Sequence, residues 1–269
     1  MHKTYLNLND IVLDVIEYPN GELDLKTSAA ELKTIANTGY AYLKWYNCKI
    51  SDFILLEKIF NTIQIDKFYI DYLPYQRSDR DFFENTEKSL LEITWKKIEV
   101  IMDANDDCEI IVNDPHNKDL LLKVNTFQNL KFIYKAIEKI KVYASISPSD
   151  VIVFPDKNAY KKYFKYIKGD KNLNIKNVIV LEKGRDVKTG KITEHKIYLS
   201  EITTPITYKS KFYIIDDICD KGGTFISAKK LISNEFKYVE NSINAWILFV
   251  SHNTECEKEA LLQEITIAN

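Results

Sequence analysis

The chain carries almost no net charge: 37 basic residues stand against 39 acidic ones over 269 positions, leaving a formal charge of −2. A field of one sign is therefore lacking, which argues against DNA, RNA or a membrane surface as the main partner, and any anion binding has to be local. Cysteine is scarce as well. Cys48, Cys108, Cys219 and Cys256 are widely scattered with no C-x-x-C pair, so neither a disulfide framework nor a zinc site is expected, and all are read as free thiols. No uninterrupted apolar run approaches the ~20 residues that span a bilayer. The opening MHKTYLNLNDIVLDV lacks the basic-then-apolar order of a secretory signal. These absences point to a soluble cytoplasmic protein. What the chain does have is hydrophobic content, 45% of it, enough to fill the cores of two domains or one large one.

The stretch around which the rest arranges itself is Lys211 to Leu231, KFYIIDDICDKGGTFISAKKL. Phe212 to Ile215 form a short β-branched and aromatic run suited to a buried parallel strand, and Asp216 and Asp217 follow at its carboxyl end, where open α/β sheets place their ligands. Gly222 and Gly223 permit a tight turn, so the amides from Lys221 to Thr224 can converge. A helix starting near Thr224 adds its positive end to that concavity and suits it to a phosphate. The acids beside it suit sugar hydroxyls or a hydrated cation. By composition alone the same string could be only a polar strand-to-helix loop.

In the order of its residues, Asp216, Asp217, Ile218, Cys219, Asp220, Lys221, Gly222, Gly223, Thr224 resembles the pentose-phosphate loop of the phosphoribosyltransferase-like fold. It is closer still to the D-D-x-x-D-T-x-G-T loop of ribose-phosphate diphosphokinases, the phosphoribosyl pyrophosphate synthetases. Lys221 stands where that family has threonine.

Other strings follow in the family's order. Ile11–Ile16 and Leu23–Lys26 read as short strands around the turn Tyr18-Pro19-Asn20-Gly21. That is either a plain hairpin or the likeness of the family's F-x-(D/N)-x-E segment, in which Tyr18, Asn20 and Glu22 would reach the adenine of ATP. Ser51 reads as the N-cap of a helix with Phe53, Leu56, Ile59, Phe60 and Ile63 on one face. Lys67–Asp71, KFYID, echoes KFYIID at Lys211–Asp216 and supports an internal duplication. Pro74-Tyr75-Gln76-Arg77-Ser78-Asp79-Arg80 resembles P-Y-x-R-Q-D-(K/R), which implies nucleotide contacts from Arg77, Ser78 and Asp79; an arginine fork matches phosphate oxygens two at a time. The other reading is a charged surface loop. A helix is expected over Thr86–Asp103 and a strand over Glu109–Asn113. Asp114-Pro115-His116 then resembles D-L-H, implying that His116 helps hold the metal on the triphosphate, although a lone histidine after a strand is more often structural.

A helix over Asn129–Val142 leads to Ser147-Pro148-Ser149, read as the boundary between halves. Val151–Phe154 is a buried strand ending in Pro155-Asp156, which resembles S-P-D-x-G and implies Asp156 as a metal ligand; Lys157, Asn158 and Ala159 replace the small residues usual there. After a strand at Asn177–Leu181, Lys183-Gly184-Arg185 and the polar stretch to Lys196 read either as a solvated hairpin or, by resemblance, as the K-x-R flap whose cations close over the polyphosphate. Ile243–Val250 is the last long strand; Ser251-His252 resembles T-H, with His252 structural. The chain ends soon after, whereas relatives continue for some tens of residues.

Taken together the resemblance implies an α/β fold of two phosphoribosyltransferase-like domains, each a largely parallel sheet flanked by helices and related by internal duplication. Residues 1–146 would be the ATP side and 147–269 the pentose-phosphate side, with the active site at their junction and the chain a homodimer or higher homo-oligomer. It implies Mg²⁺-ATP as donor and ribose 5-phosphate as acceptor. By that resemblance Lys183, Arg185 and His116 would be the catalytic residues, and His116 and Asp156 the metal ligands. Asp216 and Asp217 would hold the ribose hydroxyls, and Asp220 to Thr224 the 5-phosphate. Three alternatives remain at this stage: ADP-ribose as acceptor, as in phage relatives that rebuild NAD⁺; a phosphoribosyltransferase; and a non-catalytic regulatory relative.

Overall fold

The computed structural model describes residues 5–20, 22–37, 41–46, 50–78, 89–105, 107–117, 126–129, 131–142, 146–185, 192–220, 222–236, 245–253 and 265–267. The chain divides into two units, Met1–Asn129 and Leu130–Asn269.

The first unit contains β1 (Tyr5–Leu8), β2 (Ile11–Val12), β3 (Val15–Glu17), β4 (Leu23–Leu25), α1 (Ala29–Ala36), β5 (Tyr42–Tyr46), α2 (Phe53–Phe60), β6 (Lys67–Ile70), α3 (Leu90–Met102), β7 (Glu109–Asn113) and β8 (Thr126–Asn129). Its sheet runs β2-β1-β5-β6-β7-β8, with β5 to β8 parallel and β1 antiparallel to both β2 and β5. Along β5, β6 and β7 buried side chains alternate with half-buried ones, as a strand's two-residue period requires. Leu43, Trp45, Phe68, Ile70, Ile110 and Val112 share one core with α1, α2 and α3. Tyr42, Lys44, Tyr69 and Ile111 take the other face. α1 and α3 begin in matching capping boxes, Ser28 with Glu31 and Ser89 with Glu92, each serine oxygen and glutamate carboxylate satisfying the other residue's backbone N–H.

The second unit contains α4 (Lys131–Val142), β9 (Val151–Phe154), α5 (Lys157–Gly169), β10 (Asn177–Arg185), β11 (Ile192–Glu201), β12 (Phe212–Cys219), α6 (Gly223–Glu235), β13 (Trp246–Asn253) and β14 (Thr266–Ile267). The sheet order is β11-β10-β9-β12-β13-β14, parallel throughout except for the edge strand β11. Both faces are covered. Ile152, Phe154, Tyr213 and Ile215 pack toward α4 and α5, while Val153, Ile214 and Leu248 pack toward α6. β12 is buried at all its positions, and its first half, Phe212–Ile215, reads accordingly as an apolar run before the two acids Asp216 and Asp217. From β9 the chain steps outward to β10 and then returns past β9 to β12. That reversal opens a crevice at the carboxyl ends of β9 and β12, the place where open α/β sheets bind ligands.

The echoing strands β6 and β12 both lie inside rows of parallel strands, second in β5-β6-β7-β8 and third in β10-β9-β12-β13-β14. Several expectations shift. The division falls after Asn129, upstream of Ser147-Pro148, because Ile133, Ala136, Ile137 and Ile140 of α4 belong to the core of the second sheet. The N-cap position of α2 is Asp52, not Ser51, but its side chain makes no cap bond: the Asp52 carboxylate is fully buried and accepts the Trp45 indole N–H at 2.7 Å. Cys219 is disulfide-bonded rather than a free thiol, with its partner outside the described residues; Cys108 is free and buried. Among the described residues, no helix is long and apolar enough to cross a membrane.

Candidate functional site

At the crevice, β9 ends in Pro155-Asp156, and Asp156 caps α5: its Oδ1 accepts the Asn158 and Ala159 N–H groups at 3.0 Å each. Its Oδ2 lies 3.1 Å from Lys183 Nζ on β10. Lys183 is 7% exposed and Asp156 31%, so the pair is shielded on one side only. Burial alone would raise the Asp156 carboxyl, yet the Lys183 ammonium and the Ala159 N–H together hold it below the usual carboxylate range.

β12 continues through Cys219, so Asp216 and Asp217 lie within the strand rather than beyond it. Consecutive strand residues face opposite ways. Asp217 meets Lys162 of α5 at 3.2 Å, and Asp216 accepts the Asp217 N–H at 3.0 Å. Asp216 is held well above the ordinary carboxylate range, first by burial, then by the charges of Asp217 and Asp156, with Lys183 opposing. The structure thus gathers Asp156, Asp216, Asp217, Lys162 and Lys183 at one end of the sheet.

Asp220 is exposed where β12 ends. Gly222 has φ 76°, a conformation that glycine alone adopts without strain, and caps α6. Its carbonyl accepts the Phe225 and Ile226 amides at 3.0 and 3.3 Å. The amides of Gly223 and Thr224, at the start of the helix, have no intrahelical carbonyl to bond and are available to an anion. Lys221 lies outside the described residues.

Lys183 and Arg185 sit at the end of the β10–β11 hairpin; the Arg185 backbone pairs with Ile192, and its side chain lies outside the described residues. Lys183 is directly opposite His195. The His195 ring is half-buried, with Nδ1 2.9 Å from Ser227 Oγ of α6 and Nε2 3.4 Å from the Pro155 carbonyl. Burial, aided by Lys183, lowers its pKa below the usual histidine value. Nearby, Lys157 bonds Glu182 at 2.6 Å and lies 3.8 Å from the Tyr198 ring centroid, which braces the root of the hairpin.

A second group of expected residues lies in the first unit, at the carboxyl ends of β6 and β7. Arg77 is exposed, while Ser78 accepts the Leu91 N–H through its carbonyl at 3.2 Å and so fixes the loop to the start of α3. Asp79 lies outside the described residues. Gln76, 1% exposed, accepts the His116 backbone N–H at 3.0 Å and ties the two loops together. Tyr75 and Asp114, at φ 59° and 39°, are left-handed without being glycine. Such strain persists where the surroundings impose it, and it concentrates at binding sites. Tyr18, Asn20 and Glu22 form the β3–β4 hairpin turn: Tyr18 N–H donates to the Glu22 carbonyl at 2.8 Å, and Asn20 Oδ1 accepts the Glu22 N–H at 3.2 Å. The Tyr18 ring remains 45% exposed. His252 is buried in β13 beside Ile218, in keeping with a structural histidine.

Reasoning from sequence did not single out Gln76, Lys162, His195 or Ser227. Gln76 stood inside the Tyr75–Arg77 string and could have been found there; the other three are brought to the site only by packing.

Two α/β units, each with a largely parallel sheet flanked by helices, fit the phosphoribosyltransferase-like fold. Among solved structures the chain is similar to the phosphoribosylpyrophosphate synthetase from Mycobacterium smegmatis, with 12% identity and a TM-score of 0.58 over 95% of this chain and 85% of that one. No protein-family model and no curated protein matches the sequence.

Proposed function

We propose that this chain is an ATP-dependent diphosphokinase that transfers the β,γ-diphosphate of ATP to the anomeric hydroxyl of ribose 5-phosphate. The observation that carries the reading is the convergence, at the switch point of the second sheet, of a paired lysine (Lys183 with Asp156), the buried acids Asp216 and Asp217, and the Gly222–Thr224 cradle. A phosphoribosyltransferase would share the cradle. It gives no reason for a lysine delivered to Asp156 on an antiparallel hairpin, nor for the Arg77 and His116 loops joined through Gln76.

In this reading the anomeric oxygen attacks the β-phosphorus, the bond from that phosphorus to the α,β-bridging oxygen breaks, and AMP leaves with the electron pair. The hydroxyl proton passes to solvent. Asp216 and Asp217 accept the ribose hydroxyls, and Gly223 and Thr224 amides receive the 5-phosphate. Arg77 serves the nucleotide, with Tyr18, Asn20 and Glu22 at its base. Magnesium would enter as part of the MgATP substrate; such an ion needs only one or two protein donors besides the phosphates, and His116 in the first unit and Asp156 in the second are each a candidate for such a donor. Lys183 and Arg185 neutralise charge on the moving diphosphate, where a preorganised cation lowers the barrier most.

The test is incubation with MgATP and either ribose 5-phosphate or ADP-ribose, read by mass spectrometry. AMP together with pyrophosphorylated ribose 5-phosphate is the expected result. AMP and product with ADP-ribose alone would keep the chemistry and change the acceptor. No AMP with either, or consumption of phosphoribosyl pyrophosphate with a base instead, would overturn the reading.

A further inference from the structure

Among the described residues β11 is the edge strand of the second sheet and pairs only with β10, so the hairpin that carries Lys183 is anchored there to the sheet along one side. A register shift at Gly184–Arg185 loosens that pairing further beside the residues whose placement matters. Lys157 braces the hairpin's root from α5, and beyond that point, at the level of Lys183, a further hold would have to come from another element. His195 stands directly across from Lys183 on the inward-facing row of β11, which also holds Ile197, a neighbour of the core beneath α6.

The ring reaches two different elements at once. Nδ1 is 2.9 Å from Ser227 Oγ, whose hydroxyl lies 2.9 Å from the Thr224 carbonyl in the first turn of α6. With a proton on Nδ1 both contacts run donor to acceptor, His195 to Ser227 and Ser227 to Thr224, and both are short enough to be strong. On its other side Nε2 lies 3.4 Å from the carbonyl of Pro155, the residue before Asp156, a contact of position rather than a hydrogen bond while the proton is on Nδ1. One imidazole therefore spans from the hairpin to the turn that forms the anion cradle and to the loop that presents the partner of Lys183.

We infer that His195 is a positioning residue: through Ser227 it latches the β10–β11 hairpin to the α6 cradle, with its Nε2 edge lying beside the Asp156 loop, and so fixes where the Lys183 ammonium stands. Its catalytic consequence rests on the proposed diphosphate transfer; the latch itself does not. Loss of the latch leaves the lysine present but misplaced, and a displacement of about 1 Å at a charge-stabilising group can cost on the order of 100-fold in rate.

The experiment compares wild type, His195→Leu, His195→Asn and Ser227→Ala by backbone hydrogen–deuterium exchange and by AMP formation. Leucine fills the space without a donor, and asparagine keeps a donor near the Nδ1 position. His195→Leu and Ser227→Ala should both speed exchange in residues 195–199 and 223–228. They should lower kcat about ten-fold or more with the KM for ATP changed by less than about three-fold. His195→Asn should recover most of both. Unchanged exchange in His195→Leu and Ser227→Ala overturns the latch, whatever the activity, and so does faster exchange with an unchanged kcat in an active enzyme. If wild type makes no AMP with either acceptor, the proposed function fails while exchange alone decides the latch. Should His195→Leu not fold, Ser227→Ala carries the same test.

Discussion

Lys183 Nζ lies 3.1 Å from Asp156 Oδ2, and through that one contact the root of an edge hairpin on β10 meets the helix cap that follows β9. The carboxylate thereby has two tasks, holding the first turn of α5 with one oxygen and a nearly buried ammonium with the other. Removing it exposes both. Asp156→Ala should cost about 3 kcal/mol or more, from a lost cap worth about 1 kcal/mol and a buried charge left without its partner. Lys183→Met should cost less, because Asp156 keeps its backbone donors and some contact with water. In urea titrations the double variant should be more stable than the sum of the two by about 1 kcal/mol or more. Strict additivity would show that the two groups are neighbours without being coupled.

The same lysine is the centre of the catalytic expectation. Lys183→Ala and Arg185→Ala should each lower turnover by about 100-fold or more while ATP still binds, the scale seen when one preorganised stabiliser of developing charge is removed. Steady-state kinetics beside calorimetric ATP binding separates the two effects. Near wild-type turnover in both variants would remove these residues from the mechanism.

Much of this arrangement could be read before the fold was known, because its parts are short strings that end apolar runs. Asp156, Asp216, Asp217 and Gly222 each follow or close a buried strand, and a run of Val, Ile and Phe advertises such a strand. α5 was harder to see: KNAYKKYFKYIKG is rich in lysine and tyrosine, and its buried stripe is only Ala159, Tyr163 and Ile167. Once those positions are read at a spacing of four, Asp156 becomes an N-cap as well as an acid. His195 offered no such signal, since a lone histidine in a polar stretch gains meaning only from the register that sets it opposite Lys183. The Asp52–Trp45 bond and the allegiance of α4 to the second sheet are likewise tertiary facts with no local signature.

The cysteines make a separate check on the fold. Cys108 is 3% exposed and its thiol is pushed up to about 12, by burial first and then by Asp66 and Glu109. The thiolate is the reactive form. Cys108 should therefore resist a disulfide-exchange reagent at pH 8 in the native protein and react at once in denaturant. Without reductant the denatured chain should titrate fewer than four thiols, because Cys219 is bridged. Fast native labelling of Cys108 would contradict its burial, and four titratable thiols would contradict the bridge.

Asp216 sets the sign of a pH effect that runs opposite to the usual carboxylate. Burial, with Asp217 and Asp156 beside it, raises its folded pKa well above the ordinary 3.8. Below that ordinary value the group is protonated whether the chain is folded or not, and it contributes no pH dependence. As pH climbs from there toward the raised value, the unfolded chain releases its proton first, so the folded state loses stability over that interval. Asp216→Asn removes the titration while keeping an oxygen that can accept the Asp217 N–H, a bond of 3.0 Å in the native protein. The variant should accordingly match wild type near pH 4 and become increasingly more stable than it toward pH 7.5, as read by thermal or urea unfolding across the series. Ribose binding should suffer even as stability rises, because the acid that costs the fold is one assigned to the sugar. A stability gap that stays constant with pH, or one that favours wild type at pH 7.5, would mean that the Asp216 charge is met by a partner strong enough to cancel its burial.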